Sequence, residues 1–172
     1  MTDTSTPYFL ADPYTEVTFL EAPEAPTVVS AFADFPMADM ASAFDSTFSA
    51  LFPVLSAHGV QPVGPAFSLQ TRMPSETVDM EIGFPVDLAL AEAVPTEAGL
   101  TLQPSRLPAG RVAIVSHLGS YDGLGAAWGA FMQAVAEAGH EPVLPFWEFY
   151  VTEPSPEADP ASMRTDLVTL IN

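Results

Sequence analysis

A single carboxylate stands among aromatic residues in the segment PFWEFYV, residues 145–151. In an extended chain the side chains alternate between two faces, so Phe146, Glu148 and Tyr150 share one face and Trp147 lies on the other. Both faces of this predicted strand are largely apolar, and such a strand is usually covered on both sides. A buried carboxylate loses its hydration unless a cation or hydrogen-bond donors replace the lost water. The segment therefore predicts a positively charged or hydrogen-bonding partner for Glu148.

The charge balance of the chain leaves few internal cations to pair with this carboxylate. Its 172 residues include 22 Asp and Glu, four arginines and no lysine, which gives a formal net charge of −18. Proteins that bind nucleic acids need Lys and Arg to displace counterions from the phosphates, so we expect no nucleic-acid partner. The summed field of an acidic surface attracts cations instead. The composition therefore favours a cationic partner.

Several other kinds of site have no support in the sequence. The absence of cysteine excludes a thiol nucleophile and a thiolate metal site, and the three histidines lack metal-ligand spacing. There is no nucleophile elbow and no phosphate loop. We therefore expect neither a metal nor a cofactor. The N-terminal sequence lacks the pattern of a signal peptide and no apolar stretch has the length of a membrane span, so we expect a cytoplasmic protein without membrane contact.

The elements that would position Glu148 occur twice in the chain. The segments HGVQPVGPAFS and AGHEPVLPFWE share a glycine, two prolines and a valine at one offset of 80 residues, counted from Gly59 to Gly139. Upstream of each glycine, apolar residues recur at spacings of three and four, as on one face of a helix. The spacing predicts helices at about 37–58 and 121–138, each ended by its glycine.

Predicted strands surround each helix, one before it and two after it. The strands after the helices are expected at about residues 63–73, 77–86, 145–152 and 166–171, and additional strands before the modules at about 16–21 and 100–104. The sequence thus predicts an α+β fold made of duplicated β-α-β-β modules, with an antiparallel sheet, two long helices and a central groove. We expect residues 1–172 to form a single domain made of repeat halves at about 16–90 and 98–172.

The repeat is symmetric in its scaffold but not in its charge. At the offset that aligns the prolines, Ser68 of the first half corresponds to Glu148 of the second. A structural role common to both halves would not need the carboxylate, so the difference favours ligand binding by Glu148. The alternative is a carboxylate that faces solvent or caps a neighbouring group.

Three motifs of the second half point to a known family. LPAGRVA leads into a predicted strand, HLGSY precedes a helix that holds a tryptophan, and PFWEFY carries the glutamate and a tyrosine. With these motifs, residues 17–172 resemble the GyrI-like small-molecule-binding domain, also found as the effector-binding half of multidrug-responsive transcription regulators. The resemblance implies a pocket for amphipathic, often cationic aromatic compounds, with Glu148 as the buried acid that meets the cation. It also implies a stand-alone member, because no DNA-binding helix-turn-helix precedes the domain.

The first half departs from the family pattern. It reads GPAFSLQTR where members often carry a tyrosine after the glycine and proline. The first-half residues of the pocket are therefore left open. The predicted ligand-binding residues are one acid and five aromatic side chains: Glu148, Tyr150, Tyr121, Trp147, Trp128 and Phe146.

The aromatic members of this set differ in how well the sequence places them. Tyr121 begins the second helix after Gly119 and Ser120, where its ring can face a groove. Trp128 sits on the apolar stripe of that helix, which is equally compatible with a core position. Trp147 faces away from the glutamate unless the strand twists or bulges. A cation over such a ring gains on the order of 0.5–2 kcal/mol.

The expected function is multidrug recognition, in which a stand-alone protein binds hydrophobic, cationic aromatic small molecules. One alternative is a hydrolase that opens cyclopropanoid alkylating compounds, an activity known for some stand-alone relatives. In that case Glu148 is the catalytic acid or base, and Tyr121 or Tyr150 donates a hydrogen bond to the developing oxyanion. A second alternative is a protein-binding module resembling a gyrase inhibitor, which would show an apolar surface patch in place of a pocket.

Overall fold

The computed structural model describes residues 7–97, 99–152 and 159–172. Within these ranges the chain forms nine strands and two long helices. The strands are β1 (Thr18–Ala22), β2 (Ala25–Pro36), β3 (Ala66–Gln70), β4 (Thr77–Pro85), β5 (Val94–Pro95), β6 (Thr101–Leu107), β7 (Gly110–Leu118), β8 (Pro142–Tyr150) and β9 (Arg164–Ile171). The helices are α1 (Met40–Ala57) and α2 (Leu124–Glu137), and a 3-10 turn precedes each of them.

These strands form one antiparallel sheet in the order β1-β7-β9-β8-β3-β4-β2-β6-β5. Strands β7, β9 and β8 of the second half lie beside β3, β4 and β2 of the first, and the antiparallel β3–β8 pair joins the two groups. Strand β1 pairs with β7, and β6 pairs with β2, so each of these strands joins the opposite half. The α+β class with an antiparallel sheet and two helices is confirmed, whereas the division into repeat halves at 16–90 and 98–172 stays a prediction.

Both helices begin and end close to the residues that the apolar spacing predicts. Gly59 and Gly139 follow the helix ends with φ angles of 67° and 89°, a left-handed conformation that glycine adopts without a steric cost. Helix α1 packs on β2 and β4, and α2 packs on β7 and β8, on the same face of the sheet. Of the described helices, none is long and apolar enough to cross a membrane.

The segment that precedes β1 covers the opposite face of the sheet. Tyr8 and Phe9 pack against Phe149 in a buried aromatic cluster. The Arg164 guanidinium donates two hydrogen bonds to the buried carboxylate of Asp166, at 2.9 and 2.8 Å. The same guanidinium donates to the backbone carbonyl of residue 11 at 2.9 Å. This face is therefore closed by the protein itself, and the helix face carries the open space.

Candidate functional site

A cavity of about 1270 Å³ lies between the two helices, over the centre of the sheet. Strands β3 and β8 form its floor, and α1 and α2 form its walls. The apolar part of its lining consists mainly of methionine and phenylalanine side chains: Met37, Met40, Met73, Met132, Phe44, Phe48, Phe52, Phe84 and Phe146. Protein pockets for drug-sized ligands have volumes of about 300–1,000 Å³. The cavity is therefore large enough for a bulky aromatic ligand.

Glu148 lies on the cavity floor and is hydrogen-bonded by two neutral donors. The indole Nε1 of Trp128 donates to Glu148 Oε1 at 2.8 Å. The hydroxyl of Tyr150 donates to Glu148 Oε2 at 3.1 Å. The carboxylate is only partly exposed. The two bonds orient the carboxylate and stabilise its charge, but they do not neutralise it.

The Tyr150 hydroxyl is also bonded to the first half of the chain, because it lies 2.8 Å from Ser68 Oγ. A tyrosine hydroxyl carries one proton, so when Tyr150 donates to Glu148, Ser68 must donate to Tyr150. Ser68 and Glu148 stand directly opposite each other on β3 and β8. A carboxylate at both positions would place two like charges across the strand pair, which is unfavourable. The sheet register thus gives a physical reason why only one of these two positions carries a carboxylate.

Burial raises the pKa of Glu148 above its ordinary value. The hydrogen bonds from Trp128 and Tyr150 act in the opposite direction but are weaker than the loss of hydration. Burial also raises the pKa of Tyr150 and of Tyr121, and the negative charge of Glu148 raises both further. The two tyrosines therefore stay neutral hydrogen-bond donors at physiological pH.

The cavity carries negative charge without a matching base. Its charged lining residues are Glu148 on the floor and Asp45 on α1, and among the residues that the structure describes no Lys, Arg or His lines it. Arg72 and Arg164 are engaged elsewhere, in ion pairs with Asp79 and Asp166. Within the described part of the chain no base forms an ion pair with Glu148, although the charge of His117 acts on it from outside the cavity lining.

Aromatic rings surround the carboxylate. The ring of Trp128 packs edge-to-face on Phe146, with centroids 4.9 Å apart. The ring of Tyr150 makes edge-to-face contacts with Phe44 at 5.4 Å and with Tyr121 at 6.0 Å. Four of the five aromatic residues predicted for the site, Tyr121, Trp128, Phe146 and Tyr150, therefore line the same cavity as Glu148. Their role as ligand-binding residues stays a prediction.

The structure places Trp147 outside the cavity. Its side chain is fully buried on the opposite face of the sheet, in a core with Phe67 and Phe149. The register irregularity of β8 lies between Val143 and Phe146, so the alternation of side chains continues undisturbed through Trp147. We therefore remove Trp147 from the predicted set and assign it to the core.

Sequence reasoning missed the first-half side of the cavity. Phe44 and Phe48 lie four residues apart on the apolar face of α1, and in the structure they also line the cavity. Apolar spacing identifies such a face but does not tell whether the sheet or a ligand covers it. A usable signal was methionine, because four of the seven methionines line the cavity. Methionine is flexible and polarizable, and it is common at surfaces that accept varied partners.

Solved structures of several proteins share this fold. In its complex with DNA, EcmrR is 21% identical with a TM-score of 0.68, and the match covers 91% of this chain and 57% of the EcmrR chain. The isolated C-terminal domain of EcmrR is 18% identical with a TM-score of 0.68, covering 91% of this chain and 97% of the domain. The chain thus spans little more than half of the EcmrR chain in the complex.

Two further structures match over almost their whole length. A hydrolase from Listeria innocua is 12% identical with a TM-score of 0.64, and the match covers 94% of both chains. SAV2435, in a structure bound to tetraphenylphosphonium, is 9% identical with a TM-score of 0.62, covering 92% of this chain and 94% of that chain. At these identities the similarities show a common fold.

A search of curated protein sequences gave no significant match. The sequence of the chain does match one protein family, the GyrI-like small molecule binding domain, over residues 15–170. The match includes both helices and the strands that form the floor of the cavity. The chain therefore belongs to the GyrI-like small molecule binding domain family.

Proposed function

We propose that this protein binds hydrophobic, cationic aromatic small molecules in the cavity between α1 and α2, with the cation next to Glu148. The observation that carries the proposal is a partly exposed carboxylate, held by neutral donors, on the floor of an aromatic cavity. Membership of a family of small-molecule-binding domains supports it.

The energetics favour a cation over a neutral or anionic ligand. A unit charge about 4 Å from the carboxylate gains roughly 4 kcal/mol at an effective dielectric constant of about 20. A contact with an aromatic face adds on the order of 0.5–2 kcal/mol. A ligand cation next to Glu148 also compensates for part of the hydration that the carboxylate loses on burial.

The apolar lining supports recognition of more than one ligand shape. Methionines contribute from three parts of the chain, with Met40 on α1, Met132 on α2 and Met73 after β3. Their unbranched side chains can repack around rings of different size. We therefore infer a multidrug type of binding, in which Glu148 selects ligands by charge and the apolar lining accepts ligands of different shapes.

The test uses two ions of the same shape and opposite charge, tetraphenylphosphonium and tetraphenylborate. Titration calorimetry should show that the wild-type protein binds the phosphonium and discriminates against the borate. Glu148→Gln keeps the shape of the side chain and removes its charge, so the phosphonium should bind about 10- to 100-fold more weakly. Glu141→Gln is the matched control, because it removes an exposed charge near the start of the same strand, outside the cavity.

Two results would contradict the proposal. The first is an absence of phosphonium binding to the wild-type protein. The second is an equal affinity of the phosphonium for wild type and Glu148→Gln, which would show that the carboxylate does not contribute to binding of the ligand's positive charge. If Glu148→Gln lost the same factor in affinity for a cationic and for a neutral aromatic ligand, the role of Glu148 would be to shape the cavity.

A second candidate function is hydrolysis of cyclopropanoid alkylating compounds. Burial in an apolar cavity raises the pKa of Glu148, which brings it closer to the pH at which a general acid or base works best. Incubation with such a compound should then give the ring-opened, hydrated product faster than buffer does, and Glu148→Gln should abolish turnover. If each protein molecule instead protected one molecule of the compound from hydrolysis and formed no product, the protein would be a binder and not a hydrolase.

A further inference from the structure

The loop that joins β3 to β4, residues 71–76, forms part of the rim of the cavity. Met73 and Pro74 of this loop line the cavity, and the Met73 side chain is 65% exposed. A lining residue with so much exposed surface lies where the cavity opens to solvent. Apolar surface that is exposed in the free protein can be buried against a ligand, which favours binding. Met73 is therefore placed to contact a ligand from the solvent side.

Arg72 fixes the backbone on either side of Met73. Its guanidinium donates through Nη1 to the carbonyl oxygens of Met73 and Thr77, at 3.3 and 3.1 Å, and through Nη2 to the Thr77 hydroxyl at 2.7 Å. Thr77 is the first residue of β4, so these bonds tie the loop to the sheet. The guanidinium is planar and its donors are rigidly spaced, so it can hold several acceptors at once. Arg72 itself lies outside the cavity lining.

Two carboxylates and one hydroxyl hold the guanidinium in turn. Asp79 Oδ1 lies 3.3 Å from Arg72 Nε, and Asp34 Oδ1 lies 3.8 Å from Nη2. The Thr77 hydroxyl, which accepts from Arg72, donates to Asp34 Oδ1 at 2.7 Å. The backbone N–H of Asp34 donates to Asp79 Oδ1 at 2.7 Å. The four residues form a closed network, and charges in a network fix geometry better than an isolated surface pair does.

The same network holds a second methionine of the lining. Asp34 lies where the register of β2 shifts, with a φ of 52°, and such a bulge redirects the chain. Three residues later, the backbone N–H of Met37 donates to the carbonyl oxygen of Glu76 in the β3–β4 loop, at 2.9 Å. The backbones that carry Met37 and Met73 are therefore held together, while their flexible side chains can adapt to a ligand.

We propose that Arg72 is a positioning residue of the cavity, which holds Met73 at the rim so that its side chain covers a bound ligand. The inference rests on the proposed binding of aromatic cations in the cavity and adds a residue that acts without touching the ligand. A rim that is already in place loses less conformational freedom on binding than a loop that must first be ordered. Arg72 therefore raises ligand affinity through Met73.

The first test measures the affinity of tetraphenylphosphonium by titration calorimetry. Met73→Ala should weaken binding about 3- to 10-fold, because part of a methionine side chain is lost from the contact. Arg72→Lys keeps the net charge, but an ammonium group cannot reproduce the forked hydrogen bonds, so binding should weaken about 2- to 10-fold. In the double variant the combined loss should be clearly smaller than the product of the two, because Arg72 acts through Met73.

Arg106→Lys is the matched control, because Arg106 forms an exposed ion pair with Glu24 at 3.2 Å and lies outside the cavity lining. It should keep the wild-type affinity. Urea denaturation shows whether each variant is folded under the conditions of the titration.

The second test needs no substitution. Limited oxidation with hydrogen peroxide, followed by mass spectrometry, should modify the exposed Met73 early in the free wild-type protein. Saturating tetraphenylphosphonium should slow this oxidation, because the ligand and the Met73 side chain cover each other. Met163 is the reference, since it is 9% exposed and lies outside the cavity lining. Its oxidation reports opening of the whole protein and should be slowed less.

The inference would be overturned if Arg72→Lys kept the wild-type affinity, if its loss multiplied in full with that of Met73→Ala, or if Arg106→Lys lost as much. Equal protection of Met73 and Met163 by the ligand, or no protection of Met73, would also contradict it. In these cases the loss of phosphonium binding in Glu148→Gln would still support the proposed function. If tetraphenylphosphonium did not bind the wild-type protein at all, both the proposed function and the role of Arg72 would be wrong.

Discussion

Two hydrogen bonds lower the pKa of Glu148, and each comes from a different part of the fold. Trp128 donates from α2, while Tyr150 donates from the same strand and links the acid to Ser68 on β3. Both bonds lower the pKa of Glu148 against the larger effect of burial. The two donors that lower the pKa of the acid therefore also connect it to the wall and the floor of the cavity.

The first prediction concerns the donor from α2. Binding of a cation needs ionised Glu148, so affinity for tetraphenylphosphonium should fall as pH is lowered through the raised pKa. Trp128→Phe keeps a ring but removes the N–H, so the pKa should rise further. The pH at which half of the affinity is lost should then move upward, by about one unit or less, the equivalent of one hydrogen bond to a charged group. Calorimetry across a pH series measures it.

Trp147→Phe provides the comparison for this experiment, because it makes the same change on the other face of the sheet. It should lower stability, since Trp147 is fully buried in the core. It should leave the pH dependence of binding unchanged. A shift of equal size in both variants would mean that the indole N–H of Trp128 does not act on Glu148.

At the scale of the elements, the helix ends were predictable because they depend on local sequence. Apolar spacing defined both helices, and Gly59 and Gly139 marked their ends through a conformation that other residues adopt only at a cost. Strands β1 and β6 were expected from their sequences, but their pairing across the halves was not. That exchange depends on contacts between distant segments, which periodicity does not record.

The second prediction uses two glycines of the second helix that should respond in opposite ways to alanine. Gly139 has a φ of 89° with open space around it, so Gly139→Ala should destabilise the protein by about 1 kcal/mol through backbone strain alone. Gly129 lies inside α2, also with open space, and Gly129→Ala should stabilise by roughly 0.5–1 kcal/mol. Urea denaturation measures both. The same sign for the two variants would contradict the assigned helix end.

At the scale of the whole molecule, the two faces of one sheet have separate roles. The face under residues 7–14 is a closed hydrophobic core that contains Trp147, and the face under the helices holds the cavity with Glu148. Alternation along PFWEFYV already assigned these two residues to different faces. It could not show that a segment near the N-terminus closes one face and leaves the other open, because this depends on the path of the entire chain.

The third prediction concerns the net charge of −18. Its field should attract cations before they reach the cavity, and salt should screen it, since the Debye length falls from about 30 Å at 0.01 M to about 3 Å at 1 M salt. Affinity for tetraphenylphosphonium should therefore decrease across this range. Glu148→Gln should bind more weakly but keep nearly the same salt dependence, because the other acidic residues remain. Loss of the salt dependence in that variant would show that the attraction is entirely local.

The charge on Glu148 itself is tested most directly by counting the protons released when a cation binds. In the free protein burial raises the pKa of Glu148, and a bound cation should lower it again, so binding should expel a proton at pH values between the two. Calorimetric titration of tetraphenylphosphonium in buffers of different ionisation enthalpy, from about pH 4 to about pH 8, gives this number. We predict a release that rises toward one proton in wild type and is absent in Glu148→Gln. No release from wild type at any pH, or the same release from both proteins, would contradict the assignment of Glu148 as the acid that meets the cation.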